Sequence, residues 1–326
     1  MIPLAEIHCH IEGAAPPDLV RRQAARYRVD VSSILAPGGG YVWRDFTEFL
    51  RAYDLAASLF RTRADYADLA ETYLLGLARE GAIYSEFFIS TDHARQAGLD
   101  PAEYVAGLAE GILRARGAAG IEARMIATGL RHKGAAAVME AARFAVANPH
   151  PLVTGFGMAG EERMHHPREF AGAFDLAREA GLGITVHAGE LAGAHSVADA
   201  LDWLKPARIG HGVRAIEDPR LVERLAAERI VLEVCPGSNV FLKVFPSFAD
   251  HPFPALDRAG CIVTLSSDDP PHFRTSLATE YDNASRHFGY GEADLVRFSV
   301  NAIRAAFIDG DTRHKLLERA GAPVLG

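Results

Sequence analysis

LVTGFGMAG (Leu152–Gly160), LGITVHAGE (Leu182–Glu190) and ARIGHGV (Ala207–Val213) follow one another in the second half of the chain. Each is a short apolar run that meets a glycine. The segments between them, Pro167–Ala180 and His195–Leu204, have helical patterning. Strand, helix and strand in that order give a crossover long enough for parallel pairing. The runs are apolar on both faces, as a parallel sheet covered on both sides requires.

The same unit recurs outward in both directions. Downstream lie IVLEVCPGS (Ile230–Ser238) and CIVTLSSDD (Cys261–Asp269), with a helical stretch at Pro219–Ala227. Upstream lie IEARMIATG (Ile121–Gly129), AIYSEFFIS (Ala82–Ser90) and the opening stretch LAEIHCHIEG (Leu4–Gly13). Eight such units predict a closed (β/α)8 barrel of the TIM type, in preference to an open doubly wound sheet. A helical insertion follows the first strand. Pro16 and Pro17 open one helix, LAPGGGYVW interrupts regular structure, and Phe46–Phe60 and Asp65–Glu80 read as two more. Glu292–Phe307 and Asp311–Arg319 end the chain as additional helices. With no linker or repeat, residues 1–326 are expected to form one domain. Gly38–Gly40 follows no strand and lacks dinucleotide-binding spacing.

Bulk composition narrows the function classes. The chain has 326 residues, 49% apolar and 23% charged, enough for a sizeable core. Its net charge of −8 argues against nucleic-acid binding through phosphate contacts. No apolar run is long enough for a membrane helix, and no secretory n-region and h-region opens the chain. Three cysteines, Cys9, Cys235 and Cys261, form neither a framework nor a CxxC pair, so a cytoplasmic location is expected.

In a barrel, the C-terminal strand ends converge on one site. The first strand carries His8 and His10, two residues apart and so on one face, with Cys9 opposite. The fifth ends His187-Ala188-Gly189-Glu190, the sixth carries His211, and the eighth ends Ser267-Asp268-Asp269. A lone strand-end histidine is usually structural, and adjacent aspartates before proline often mark a turn. Four imidazoles and three carboxylates on one rim are different. His8, His10, His187 and Asp268 would supply four ligands, a donor set suited to zinc. Such a metal would lower the cost of making hydroxide from water. Glu190 then lies close enough to exchange a proton with substrate, His211 can hold or deprotonate water, and Asp269 can hydrogen-bond substrate. Lysine is absent from the end of the fourth strand, GFGMAGEE, which favours one metal over two. No CxxC deaminase pair and no GxSxG elbow occurs.

HCHIEG, MAGEE, VHAGE, RIGHGV, CPGSN and SSDDP, in that order, resemble the adenosine/adenine deaminase family of metal-dependent hydrolases. The resemblance covers essentially the whole chain. It implies a (β/α)8 barrel with one zinc, releasing ammonia from the 6-amino group of a purine. His8, His10, His187 and Asp268 become its ligands. Glu190 becomes the proton donor to purine N1, and His211 orients and deprotonates the attacking water. Asp269 contacts N7 and the Gly160 N–H contacts N3, with His10 also beside the substrate. Glu190 would need a raised pKa to be protonated at neutral pH, which burial can provide.

Substrate signals are mixed. Nucleoside-acting members resemble HxHLDG with the Asp on the ribose, whereas Glu12 stands there in this chain, similar to members acting on free adenine. FFISTDH (Phe87–His93) leans the same way, although Ser90-Thr91 replaces that group's usual Asp-Pro. GMAGEE (Gly157–Glu162) resembles the nucleoside group. The expected substrate is adenosine or 2′-deoxyadenosine, with adenine, or another 6-aminopurine nucleoside, as the alternative. A purine-binding protein without chemistry is a further alternative, opposed by the presence of every ligand and Glu190. A metal-dependent phosphoesterase can also open with HxH, but strand eight ends SDDP instead of a closing DxH. No oligomeric state is assigned.

Other residues are expected to be ancillary. His165 and His166 read as a solvated loop pair, His93 as a candidate for the substrate's edge, and His195 as part of a helix start. Phe46, Phe49 and Phe60 read as core, some able to close over a purine. Cys9 and Cys235 need no reactive role.

Overall fold

The structure, a computed structural model, describes residues 2–322, the side chain of Phe46 excepted. Its strands are β1 (Leu4–Glu6), β2 (Ala82–Ile89), β3 (Glu122–Leu130), β4 (Val153–Ala159), β5 (Gly183–Ala188), β6 (Arg208–His211), β7 (Val231–Val234) and β8 (Ile262–Leu265). They pair in chain order, every neighbour parallel. The ring closes just beyond the ends of β1 and β8. There Cys9 bridges Asp268, the His10 N–H donates to the Asp268 carbonyl at 3.0 Å, and the Asp268 N–H donates to the His8 carbonyl at 3.2 Å. The architecture is the (β/α)8 barrel that the pattern predicts, and its seam is made by candidate site residues.

Several strands are shorter than their apolar runs. β1 has three residues, while β6, β7 and β8 have four each. At β6 the reason is local: His211, its last residue, adopts left-handed backbone, φ 60°, as does Asp268 in the turn beyond β8, φ 64°. Such residues break a ladder, and their side chains need not follow its alternation.

The insertion after β1 contains helices Pro17–Tyr27, Phe46–Ala57 and Arg63–Arg79. Thr62 and Asp65 form a reciprocal capping box at the third. Asp65 also accepts from Gln23 at 3.1 Å and Arg26 at 2.7 Å, so one buried carboxylate ties the first helix to the third. Helix Arg63–Arg79 lies against helix Pro101–Ala119 with little between the backbones. A Cβ on Gly107 would come within 2.4 Å of the Arg63 carbonyl oxygen, which is why that face carries glycine.

The two helices expected after β8 are present as Glu292–Ala305 and Gly310–Arg319, and a further long helix, Leu277–Phe288, precedes them. Short helices Pro236–Phe241 and Pro270–Phe273, unexpected from the sequence, cap β7 and β8 at the mouth, each with proline at its start. Among the described residues, no helix is long and apolar enough to cross a membrane.

Candidate active site

Three imidazoles meet where the barrel seam opens. His8 and His187 ring centroids lie 4.5 Å apart, His10 and His187 5.1 Å, and His8 and His10 5.7 Å. His8 is held by Glu233 of β7, whose Oε2 lies 2.8 Å from His8 Nδ1. His187 is held by the Met158 carbonyl of β4, 3.0 Å from its Nδ1. Each contact takes the Nδ1 hydrogen and leaves Nε2 with a bare lone pair. His8 Nε2 is buried without a hydrogen-bond partner, and His10 and His187 face each other through Nε2 atoms 3.1 Å apart. Asp268 Oδ1 lies 3.7 Å from His8 Nε2 and 3.5 Å from His10 Nε2. Burial and neighbouring imidazoles push all three rings far below the usual imidazole range, His10 to about 3. Three neutral imidazoles and a carboxylate converging through lone pairs fit a tetrahedral or five-coordinate zinc site.

Carboxylates complete the floor. Burial pushes Asp268 up to about 6 and Asp269 well above the usual range. Ser238, on helix Pro236–Phe241, donates to Asp268 Oδ2 at 2.6 Å. Asp269 Oδ1 is buried with no hydrogen-bond partner. Behind them Glu6 accepts from the Ser267 N–H at 2.9 Å and its hydroxyl at 2.6 Å, pinning the turn that carries both aspartates.

Glu190 faces this cluster from the end of β5. Its Oε2 is 3.6 Å from His211 Nε2, which in turn lies 4.0 Å from Asp268 Oδ2. Burial first, then the charges of Glu162 and Glu161, raise the Glu190 carboxyl to about 8. The turn that carries it is built on Glu162, whose carboxylate accepts from the backbone N–H groups of Gly189, Glu190, Leu191 and Ala192. Four amides on one carboxylate fix the backbone and leave the Glu190 side chain aimed inward.

These groups open into a cavity of about 460 Å3. His10, His187, Glu190, His211, Asp268, Asp269 and Gly160 all line it. Phe49, Leu50, Tyr53 and Asp54 of helix Phe46–Ala57 line it together with Leu191, Leu242 and Phe273, the Phe49 and Phe273 ring centroids 5.2 Å apart. Buried His93 and the more exposed Gln96, His132 and Lys133 also line it.

Most of the residues singled out from sequence therefore come together. Glu12 does not line the cavity: it is 2% exposed and accepts from the Tyr104 hydroxyl at 2.7 Å, beside Tyr53 and His93. His8 too lies beneath the cavity surface. Phe49 reaches the cavity, Phe60 is fully buried, and the Phe46 side chain lies outside those described. His166 caps a short 3-10 turn at Pro167–Phe170, and His195 sits in the first turn of helix Ala194–Leu204. Cys9 and Cys235 are buried.

Glu233, Glu162, Ser238 and Asn239 orient the site; GMAGEE and CPGSN contain three of them, but no role for them is legible in the motifs, and Glu233 has no motif signal. A further buried group was missed inside the barrel. Arg208 Nε lies 2.6 Å from Glu233 Oε1, and its Nη1 lies 2.7 Å from Glu86 Oε2. A buried acid in an otherwise apolar strand, as in VLEV, was the available signal.

The family model described as adenosine deaminase matches residues 3–322. The chain belongs to the adenosine deaminase family. It is a deaminase, hydrolysing a C–N bond. An adenine deaminase from Chelativorans sp. (strain BNC1) is 64% identical over 319 residues, 98% of each protein. Among solved structures, an adenine deaminase from Arthrobacter aurescens superposes with TM-score 0.89 at 28% identity, covering 98% of both chains. An amidohydrolase from Burkholderia ambifaria, solved with bound zinc, superposes with TM-score 0.88 at 26% identity, covering 98% of this chain and 90% of its own.

Proposed function

We propose that this deaminase acts on free adenine, converting adenine and water to hypoxanthine and ammonia. The observation that carries this is the near full-length similarity, at 64% identity, to a relative named adenine deaminase. That reverses the order expected from sequence, where adenosine stood first. The motif that had leaned toward nucleosides has another explanation. In GMAGEE, Glu162 caps the four amides of the Gly189–Ala192 turn, so it holds Glu190 and does not report on a sugar.

His8, His10, His187 and Asp268 would hold a zinc ion through three Nε2 atoms and a carboxylate oxygen. When bound, zinc makes hydroxide available at neutral pH and so a nucleophile for C6. Attack at C6 breaks the C6–N1 π bond and the ring's aromaticity, and the electron pair moved onto N1 must be met by a proton there. Glu190, protonated near neutrality because burial raises it to about 8, donates that proton. His211 faces the attacking oxygen from beside Glu190 and Asp268. Asp269, its Oδ1 unpartnered, hydrogen-bonds N7, and the Gly160 N–H meets N3. The adduct's hydroxyl proton then passes to the 6-amino group, the C6–N bond breaks, ammonia leaves, and the 6-oxo ring of hypoxanthine remains. The apolar cover of Phe49, Leu50, Tyr53 and Phe273 keeps bulk water from the intermediate.

The test is incubation of zinc-loaded protein with adenine, following ammonia release and the ultraviolet change. Turnover of adenine supports the proposal. Absence of adenine turnover by metal-replete protein overturns it.

A further inference from the structure

Behind His211 lies a buried hydrogen-bonded line that begins at a donor of one possible sense. The backbone N–H of Phe253, in the first turn of helix Phe253–Arg258, donates to His251 Nδ1 at 3.2 Å. A backbone amide only donates, so His251 Nδ1 carries no hydrogen. The ring is 4% exposed, and burial pushes its imidazolium down to about 3. Its single hydrogen therefore sits on Nε2. That atom lies 3.2 Å from Asn239 Oδ1, which accepts it.

The orientation of an amide is ordinarily ambiguous, because oxygen and nitrogen look alike. Here the Phe253 N–H removes the ambiguity, and Asn239 must turn its Nδ2 toward His211. That nitrogen lies 3.3 Å from His211 Nδ1 and donates to it. His211 is 1% exposed and Asn239 is fully buried, and a ring that accepts at Nδ1 is neutral. A neutral His211 that accepts at Nδ1 carries its hydrogen on Nε2. Nε2 is the atom that faces Glu190 at 3.6 Å and Asp268 at 4.0 Å.

We infer that Asn239 and His251 are positioning residues that lock His211 as its Nε2–H tautomer, so that His211 offers the attacking oxygen a hydrogen-bond donor and not a lone pair. The lock stands on geometry alone, while its consequence for the attacking oxygen rests on the deamination mechanism above. It replaces the deprotonating role that family resemblance gives His211. With Nδ1 engaged by Asn239, the neutral ring has no lone pair left for water. A fixed N–H aimed where negative charge builds is the arrangement that stabilises an oxyanion without reorganising. Both supporting residues come from the segment between β7 and β8: Asn239 on helix Pro236–Phe241 and His251 just before Phe253. The same short helix places Ser238 on Asp268, so one element orients both partners of the water site.

The tautomer can be read directly. Protein labelled with 15N in histidine, with and without zinc, would be measured by long-range 1H–15N correlation at pH 7.5. His211→Asn and His251→Gln variants assign the two rings. The expected result is Nε2–H for both. An Nδ1–H tautomer, or an imidazolium, at His211 overturns the inference. Asn239→Leu removes the donor at similar size. It should let His211 populate both tautomers and lower kcat by about tenfold or more, with KM changed by less than about threefold. An unchanged His211 tautomer in that variant overturns the role of Asn239. Failure of adenine turnover would bear on the proposed function and leave the tautomer measurement standing.

Discussion

His8 Nδ1 lies 2.8 Å from Glu233 Oε2, and this contact decides which nitrogen of His8 faces the site. Both residues are fully buried, so the carboxylate cannot be replaced by water. The same carboxylate accepts from the Thr185 hydroxyl at 2.8 Å and pairs with Arg208, which fixes its plane. Partners of this kind set the affinity of a metal site as firmly as its ligands do.

Glu233→Gln should therefore weaken zinc binding by about 10- to 100-fold. An amide can present its NH2 to His8 and favour the wrong tautomer. Competition with a chromophoric chelator measures the change. Unaltered affinity would remove Glu233 from the metal site.

Glu190→Gln should keep zinc and lower kcat by about 10²-fold or more, because the amide has no proton to give to N1. On the proposed mechanism the protonated carboxyl is the active form in the parent enzyme. Its folded pKa is raised, to about 8, so activity is present below that value and lost as pH rises through it. The alkaline limb of kcat/KM should accordingly fall near pH 8. The raised pKa also costs stability as pH rises from the ordinary carboxylate value toward 8, since the unfolded chain releases this proton first. Glu190→Gln should flatten that slope in urea titrations.

Arg208→Met should destabilise the fold by about 3–5 kcal/mol, because it strands Glu86 and Glu233 in the barrel interior without a cation. The Phe307 ring also loses the guanidinium 3.7 Å above it. Chemical denaturation gives the number. A loss below about 1 kcal/mol would show that the two carboxylates find other partners.

Glu12→Asp shortens the acid by one methylene and withdraws it from the Tyr104 hydroxyl. The cavity wall beside Tyr53 and His93 then loosens. Adenine kcat/KM should fall, and the adenosine-to-adenine ratio should rise by about tenfold. Steady-state kinetics on both substrates tests this.

The site residues that sequence made legible are those at strand ends. His8, His10, His187, His211, Asp268 and Glu190 follow apolar runs, and barrel closure leaves such positions one place to meet. Glu233 and Arg208 were not legible in this way. They sit inside short strands and point into the barrel, where one charged residue among apolar neighbours reads as an ordinary interruption. Asn239 stands in the CPGSN motif, on the short helix Pro236–Phe241, and His251 in the loop before Phe253; only packing shows that the two form one line behind His211. Glu162 was noticed, but its motif suggested a sugar, and only the four amides around its carboxylate show what it holds. The length of β6 differs for a related reason: left-handed backbone at His211 ends its pairing, and no residue type announces it there.

The proposed substrate is the free base. The most direct measurement is kcat/KM for adenine, adenosine and 2′-deoxyadenosine on the same zinc-loaded preparation. Adenine should exceed either nucleoside by about 100-fold or more. A nucleoside turned over as efficiently as adenine, or better, would contradict the account.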